Sequence, residues 1–373
     1  MPRLPPETQT LFAELAERLR ALEAARSFAS LAGTFASKRV SGGEYWYFKT
    51  SAGPAGQREY FVGPDGRETR AVMRAHAAGR READAVRAEV DRLCAMLRQG
   101  GAMLTDTPSA KVLSGLASAG VFRLGAVLVG THAYIVLGNV LGVRWKSSLR
   151  TQDIDLAAAR TLQVAVPQTE ADLPGTLEAL NMGFLPVPGL SPKSPQTSFK
   201  VRGQALRVDL LTPARGARDG KPVLIPRLRA AAQPLELLDF LLEAPIPAPL
   251  LNGGATLVNV PDPARFALHK LILAGRRPVA EQSKAGKDRQ QAAEMIEVLH
   301  EDRRGDLVVA ARALRKHPAV WHARLKAQLE TLPERLNEAR VRIRSHCALG
   351  LKKLVENRVR DNSRLCKKII RNI

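Results

Sequence analysis

The sequence predicts a mixed α/β (α+β) fold, with interleaved strands and helices in the middle of the chain, a helical C-terminal part and a small N-terminal module of helix and hairpin. In the middle of the chain, short apolar runs alternate with stretches of helical spacing, as in interleaved strands and helices. After Leu235 helical periodicity prevails, and before Gly100 two aromatic runs stand between two helical segments. The 373 residues, 45% of them hydrophobic, are enough to bury a sizeable core.

The first element is an amphipathic helix predicted over residues 7–26, where apolar side chains recur at helical spacing between charges. The runs GEYWYFKTS and QREYFVGPDGR, joined by turn-forming residues 51–56, predict a hairpin. A long basic helix is predicted over 69–99, ending at Gly100. Its expected buried stripe is Val72, Met73, Ala77, Ala85, Val86, Val90, Leu93 and Met96. Residues 1–104 are therefore predicted to form an accessory module.

Aromatic side chains are concentrated in this hairpin, although only 5% of the chain is aromatic. The cluster comprises Tyr45, Trp46, Tyr47, Tyr60 and Phe61, flanked by Lys49, Arg58, Arg67 and Arg70. Such a cluster is more often the core of a small module. The same residue types also make a nucleic-acid platform, where bases stack on rings and cations meet phosphate. The pattern leaves both interpretations open.

Residues 105–232 are predicted to form the α/β core. A helix beginning near Ser109 precedes the buried strand LGAVLVG, and helical spacing resumes after Gly130. The segment TQDIDLA alternates as a strand does. Further strands are expected at LQVAV, SFKVRG and LRVDLLTP, with a helix over 170–182.

Residues 233–333 are predicted to be a helical domain. Helices are expected in PLELLDFLLEA, ARFALHKLILAGRR and KAGKDRQQAAEMIEVLHED, and over 305–316 and 318–345. Residues 334–373 form a predicted basic helical tail with twelve Lys/Arg against four Asp/Glu, a net charge of +8.

The net charge of the whole chain is +21, and its pI is near 10.6. Such a field attracts polyanions, nucleic acid above all, although an arginine-rich composition also arises from a GC-rich genome. No apolar run approaches the roughly 20 residues that cross a bilayer. The cysteines Cys94, Cys347 and Cys366 lack zinc-ligand spacing. We expect a cytoplasmic protein with reduced thiols and no membrane partner; the oligomeric state is left open.

The strongest chemical signal is the pair Asp153 and Asp155. On a strand, residues i and i+2 share a face with Cα atoms about 6 to 7 Å apart, so both carboxylates reach one pair of divalent ions. In such a pair, one ion lowers the pKa of an attacking hydroxyl and the other stabilises the leaving group. An isolated Asp-x-Asp is weak evidence, because solvated strand faces carry it by chance.

Two further features stand beside this pair. Gly130 and Thr131 follow a buried strand and open a helix, where backbone N–H groups and a hydroxyl suit a phosphate, although an ordinary strand-to-helix turn has the same pattern. Asp209 lies between Val208 and Leu210, so its side chain points away from theirs. It is either a third metal ligand and general base or a strand-edge carboxylate facing water.

The motifs VLVGTHAY, RTQDIDLA and RVDLLTP together resemble the DNA polymerase β type nucleotidyltransferase superfamily. Over residues 105–300 the chain is similar to a bacterial nucleotidyltransferase-fold group near the toxin-like abortive-infection transferases. Thr131 replaces the commoner serine, and 22 residues separate Gly130 from Asp153, more than in minimal members. His132 is either a phosphate contact or a packed helix residue.

The resemblance implies a short, antiparallel-edged mixed sheet flanked by helices, and it implies specific roles for individual residues. Asp153 and Asp155 would ligate two Mg²⁺ ions, with Mn²⁺ as a substitute, and Asp209 would complete one site. Gly130 and Thr131 would hold the triphosphate. Lys270, Lys287 and Asp288 match positions in related transferases where basic side chains approach the nucleotide phosphates; ordinary surface charge is the alternative for both lysines. Arg150, three residues before the carboxylate pair, is also predicted to bind the nucleotide.

The predicted function is therefore transfer of a nucleoside monophosphate from an NTP to a hydroxyl, with release of pyrophosphate. The acceptor is expected to be tRNA, another RNA or a protein side chain, and the basic charge favours RNA. One alternative is a nucleic-acid-binding module with weak or lost catalysis. Another is a sensor that binds NTP without transferring it.

Overall fold

The structure, a computed structural model, describes residues 1–24, 33–40, 42–50, 59–146, 152–160, 171–188, 195–216 and 220–347. It divides into two compact units, one of residues Pro2–Pro261 and one from Asp262 onward together with Met1. The predicted α+β fold is confirmed. The predicted segment boundaries after residues 104, 232 and 333 are finer than this division and stay predictions. None of the described helices is long and apolar enough to cross a membrane.

The N-terminal region contains two helices and a small antiparallel sheet. The elements are α1 (Pro6–Ala24), β1 (Gly33–Val40), β2 (Gly43–Thr50), β3 (Glu59–Pro64) and α2 (Arg67–Gln99). The β2–β3 pairing confirms the predicted hairpin, whose turn lies outside the described residues. Strand β1 was not expected, because its sequence GTFASKRV has no clear strand period. It forms by pairing with β2 along its whole length.

The predicted stripe of α2 is partly wrong. Val90 and Leu93 are buried as expected, but Val72 and Met96 are exposed, and Leu97 is buried in place of Met96. The C-terminal half of α2 packs against α1, whereas the N-terminal half packs beside β3. Because two different neighbours cover the helix, no single stripe runs along its length.

A seven-stranded mixed sheet forms the centre of the first unit. Its strands are β4 (Val127–Val129), β5 (Asp153–Ala157), β6 (Phe184–Pro186), β7 (Ser198–Val201), β8 (Arg207–Pro213), β9 (Val223–Ile225) and β10 (Ala230–Leu235). The order is β4-β5-β8-β10-β9, and β7 also pairs with β8 and with β6. Strand β8 is therefore central. The helices of this region are α3 (Thr107–Ser118), α4 (Gly130–Val140), α5 (Leu173–Ala179) and α6 (Leu238–Leu242).

Most predicted elements of this region are confirmed, whereas β6, β9 and β10 were not anticipated, and the expected strand LQVAV lies outside the described residues. The expectation of mostly helix after Leu235 is wrong for residues 246–260. They form the hairpin β11 (Ile246–Asn252) and β12 (Gly254–Val260). The hairpin supplies Leu251 to a core that α1 and α2 share. The N-terminal helices are thus anchored to the first unit.

The second unit is helical, as predicted: α7 (Pro263–Ala274), α8 (Gln282–Asp302), α9 (Arg304–Leu314), α10 (Ala319–Leu329) and α11 (Asn337–Cys347). The single helix expected over 318–345 is two helices, because Pro333 interrupts it. Cys94 and Cys347 are free and buried, and burial raises the pKa of each thiol to about 11. Cys366 and the tail after Cys347 lie outside the described residues.

The contrast between Leu97 and Met96 tests the packing of α2. Leu97 is 0% exposed in the core shared with α1, and Met96 is 46% exposed. We expect Leu97→Ala to lower the free energy of unfolding by about 2–5 kcal/mol, because it leaves a cavity. Met96→Ala should change it by only about 0.5 kcal/mol. Urea denaturation of both variants measures the difference; equal losses would contradict this packing.

Candidate active site

The three predicted carboxylates lie on two neighbouring parallel strands. Asp155 of β5 is directly opposite Asp209 of β8, and Asp153 is opposite Arg207. Paired strands are about 4.8 Å apart, and paired residues point to the same face. One face of the sheet therefore carries all three carboxylates as near neighbours.

The apolar residues between them determine which face this is. Ile154, Leu156, Val208 and Leu210 are all 0% exposed, so their side chains fix one face of β5 and β8 against the core. The alternate residues must point the other way. Asp153 is exposed, and Asp155 and Asp209 are half-buried. The sequence thus builds a carboxylate face by burying its neighbours.

Gly130 lies directly beside Asp155. Val129, the last residue of β4, pairs with Asp155, and Gly130 then begins α4. Its φ is +69°, in the left-handed region that favours glycine. A Cβ at this position would also overlap Oδ2 of Asp155. Glycine is therefore required here by its backbone conformation and by the carboxylate.

The start of α4 has features that favour the binding of an anion. Its N-cap residue, Val129, makes no side-chain capping bond, and Thr131 lies in its first turn. The N–H groups at a helix start and the helix dipole favour negative charge. His132 in the same turn is 1% exposed, which fits a packed helix residue.

Buried hydrogen bonds fix α4 against the rest of the unit. The amide of Asn139 makes two bonds of 2.8 Å with the backbone of Met103. The indole of Trp145 donates to the carbonyl of Tyr134 at 2.6 Å, and the two rings stack with centroids 4.5 Å apart. These contacts hold the helix and hence the position of Gly130.

Asp209 has a partner that the sequence analysis did not identify. Arg207 Nε donates to Asp209 Oδ1 at 2.8 Å and to Ser198 Oγ at 2.8 Å. Ser198, on β7, pairs with Asp209 across the strands. Since β8 lies inside the sheet, Asp209 is not a strand-edge carboxylate facing water. Arginine two residues before the aspartate on an alternating strand was the available signal.

The residue types fit a hard divalent cation, because such ions take carboxylate oxygens. In the positions that the side chains occupy, no three His, Cys, Asp or Glu residues of the described chain are grouped to hold a metal ion. Asp209 is turned to Arg207 instead. The donor set and its shared face therefore suit Mg²⁺ or Mn²⁺, provided that the side chains rearrange.

Of the other predicted residues, Lys270 and Lys287 belong to the second unit. Arg150 is outside the described residues. The amine of Lys270 is 2.7 Å from Asp288 Oδ1, and Arg277 Nε binds Asp288 Oδ2 at 2.7 Å. Lys270 is 9% exposed and is thus no ordinary surface charge. Lys287 is half-buried on α8. Contact of either lysine with a nucleotide stays a prediction.

Next to Lys270 lies a buried histidine, His269. Burial, reinforced by the positive charge of Lys270, lowers the pKa of His269 to about 3. For Arg277, burial opposes the charged form, but the hydrogen bonds and charges of Asp288 and Glu281 raise the pKa above its ordinary value. The second unit therefore contains a buried ion-pair network beside a neutral imidazole.

Comparison with known proteins gives one match. Residues 107–315 match the model of a protein family described as Nucleotidyltransferase. The match includes Gly130, the three carboxylates and both lysines. No curated protein and no solved structure gives a significant match to the chain.

The close approach of Gly130 to Asp155 can be tested by a double-mutant cycle. Gly130→Ala should destabilise the protein by the left-handed strain of roughly 1–2 kcal/mol plus the overlap with Asp155. Gly203→Ala is the matched control, because its φ is +73° and no atom lies within 4 Å of the added Cβ. In the Asp155→Ala background, the cost of Gly130→Ala should fall to that of Gly203→Ala. An unchanged cost would refute the contact.

His269 predicts a pH dependence of stability. Between its ordinary pKa of 6.5 and the folded value of about 3, the unfolded chain binds a proton that the folded chain does not. Stability is therefore fully present above pH 6.5 and falls below it, by up to about 1.4 kcal/mol per pH unit. His269→Gln should remove this slope between pH 6.5 and 5.5 in denaturant titrations. Parallel curves for the two proteins would show that folding does not lower the pKa of His269.

Proposed function

The chain belongs to the nucleotidyltransferase family, and on that premise we propose that it moves a nucleoside monophosphate from an NTP to a hydroxyl acceptor and releases pyrophosphate. The observation that carries this proposal is the register of β5 and β8, which sets Asp155 opposite Asp209 with Gly130 at the same point. A family match alone would leave open whether the site is intact.

The charges of this face support a reaction on a polyphosphate. Three carboxylates on one face repel a bare triphosphate, so they favour a substrate that arrives with cations. Asp153, Asp155 and Asp209 are the residues that would hold the cations. Once bound, a divalent cation lowers the pKa of the attacking hydroxyl and neutralises charge on the triphosphate.

The residues of the chain would share the remaining work. The N–H groups at the start of α4 and the hydroxyl of Thr131 bind phosphate oxygens, and the absent Cβ of Gly130 leaves room for the Asp155 carboxylate beside them. The acceptor oxygen forms a bond to the α-phosphorus, and the bond from that phosphorus to the bridging oxygen breaks. Asp209 takes the proton of the acceptor hydroxyl, and pyrophosphate leaves.

In this scheme Arg207 balances the charge of the site. Its guanidinium binds Asp209 as the side chains stand and would yield that carboxylate when a cation is present. The exchange costs little free energy, because the Arg207 side chain is 42% exposed and an exposed ion pair contributes little to stability.

The topology also supports the narrower assignment to the DNA polymerase β type superfamily. Antiparallel β4 borders β5, and β5 runs parallel to β8, which gives the antiparallel-edged mixed sheet that the resemblance implied. Kinship with toxin-like transferases remains a suggestion of sequence similarity. RNA is the acceptor that the charge of +21 favours.

Transfer can be tested with α-³²P-labelled NTPs, Mg²⁺ and total RNA. The intact protein should label RNA, and Asp153→Asn/Asp155→Asn should reduce labelling at least about 100-fold, because even residues that only orient metal ligands contribute 10- to 100-fold. Glu178→Gln, which changes an exposed carboxylate of α5, is the control and should label normally. Equal labelling by all three proteins, or label on protein bands alone, would reject transfer to RNA by this site.

Substitution of Arg207 tests its role as a competitor of the cation. Arg207→Gln removes the positive charge from Asp209, so the Mg²⁺ concentration for half-maximal transfer should fall roughly two- to fivefold, the equivalent of one exposed ion pair. Lys200→Gln, at the β7 residue that pairs with Arg207, is a control for loss of nearby charge. A higher Mg²⁺ requirement in Arg207→Gln would assign Arg207 to substrate binding instead.

A further inference from the structure

We propose that the outer face of the sheet β1–β3 binds single-stranded RNA by stacking bases on Tyr45, Tyr47 and Phe61. This face is the side of the sheet turned away from α2. The proposal rests on the proposed function only for the choice of RNA as the nucleic acid. Binding itself does not depend on catalysis.

The register separates the aromatic residues into two faces. Phe48 pairs with Phe35 and with Tyr60, which places these three on one face. Tyr47 pairs with Phe61 and Ala36, and Tyr45 pairs with Lys38, on the other face. The cluster in the sequence is therefore two sets of aromatic residues.

The inner set is the core of the module. Phe48 is 1% exposed, and its ring centroid lies 5.1 Å from that of Phe35 and 5.2 Å from that of His76 on α2. His76 is itself buried. The inner rings therefore form the core of the module without a contribution from the outer rings.

The described residues cover the outer rings only in part, and Tyr45 and Tyr47 are half-buried. Phe61 is 61% exposed, and its centroid is 5.5 Å from that of Tyr47 and 6.2 Å from that of Tyr45. Burial of Phe61 would favour folding, yet the ring projects into solvent. Three adjacent rings on an open sheet are the arrangement on which unpaired bases stack.

Cations accompany these rings. The amine of Lys38 lies 4.8 Å from the centroid of the Tyr47 ring, and Lys49 is on the same face. Glu59 lies between them, 2.7 Å from Lys38 Nζ and 3.9 Å from Lys49 Nζ. These are exposed ion pairs, which exchange readily for phosphate contacts.

The occupant follows from shape and charge together. A duplex hides its bases inside the stack, so rings on a flat sheet suit unpaired bases. A chain with a net charge of +21 attracts a polyanion more strongly than it attracts a neutral or basic protein. Stacking also explains exposed aromatic rings, which phosphate contacts alone do not require.

The test is fluorescence anisotropy with a labelled U-rich 12-mer RNA, without NTP or divalent ions. The double variant Tyr47→Leu/Phe61→Leu keeps apolar bulk but removes both aromatic faces, and it should lose roughly 25-fold or more in affinity. The matched control is Tyr60→Leu. Tyr60 precedes Phe61 in β3, and its ring is 51% exposed but lies on the inner face of the sheet. It should bind within about twofold of the intact protein, since its ring lies off the proposed surface.

Salt and substitution separate stacking from general attraction. Because the rings are neutral, the affinity ratio between the double variant and the intact protein should persist as salt rises, although both affinities fall. Circular dichroism confirms that the variants fold, and Tyr47→Phe/Phe61→Tyr should bind as the intact protein does. If that variant loses binding equally, ring stacking is not the cause.

Three further outcomes would overturn the proposal: no RNA binding by the intact protein, equal binding by Tyr47→Leu/Phe61→Leu, or tighter binding of the matching DNA. Failure of the proposed function is distinguishable from these. Asp153→Asn/Asp155→Asn should bind the 12-mer normally, so loss of transfer with retained binding rejects the active site and not this surface.

Discussion

The register between β5 and β8 is the constraint on which the rest of the site depends. Pairing of Asp155 with Asp209 places two carboxylates side by side, and Asp153 follows on the same face. A shift by one residue would turn the carboxylates into the core and the apolar residues outward. Burial of the paired residues Ile154 and Val208 therefore fixes the register of the two strands and the face on which the carboxylates lie.

A collection of like charges must be balanced when no cation is present. Arg207 provides this balance within the same strand, and Ser198 orients the guanidinium from β7. Gly130 brings the start of α4 to the carboxylates without a side chain between them. Under the proposed function, the site would combine a face that holds cations with a helix start that binds phosphate, which are the two requirements of a nucleotide held by metal ions.

The sequence predicted the elements whose residues have a strong period of their own. TQDIDLA and LRVDLLTP alternate strictly, so their strands and faces could be predicted, and with them the carboxylates. Strands β10 and β11 could not, because AAAQPL has no period and Pro247 and Pro249 argue against a strand. Pairing with distant strands determines them. Arg207 and Asp209 both lie in a predicted strand, but the hydrogen bond between them is defined only by the positions of their side chains.

We propose that these three carboxylates form one metal site when nucleotide is present. This can be measured as the binding of Mn²⁺, followed by electron paramagnetic resonance in the presence of a non-hydrolysable NTP analogue. We expect two bound ions per chain, and loss of both when Asp153, Asp155 and Asp209 are all replaced by asparagine. Equal binding of Mn²⁺ by the intact and substituted proteins would contradict it.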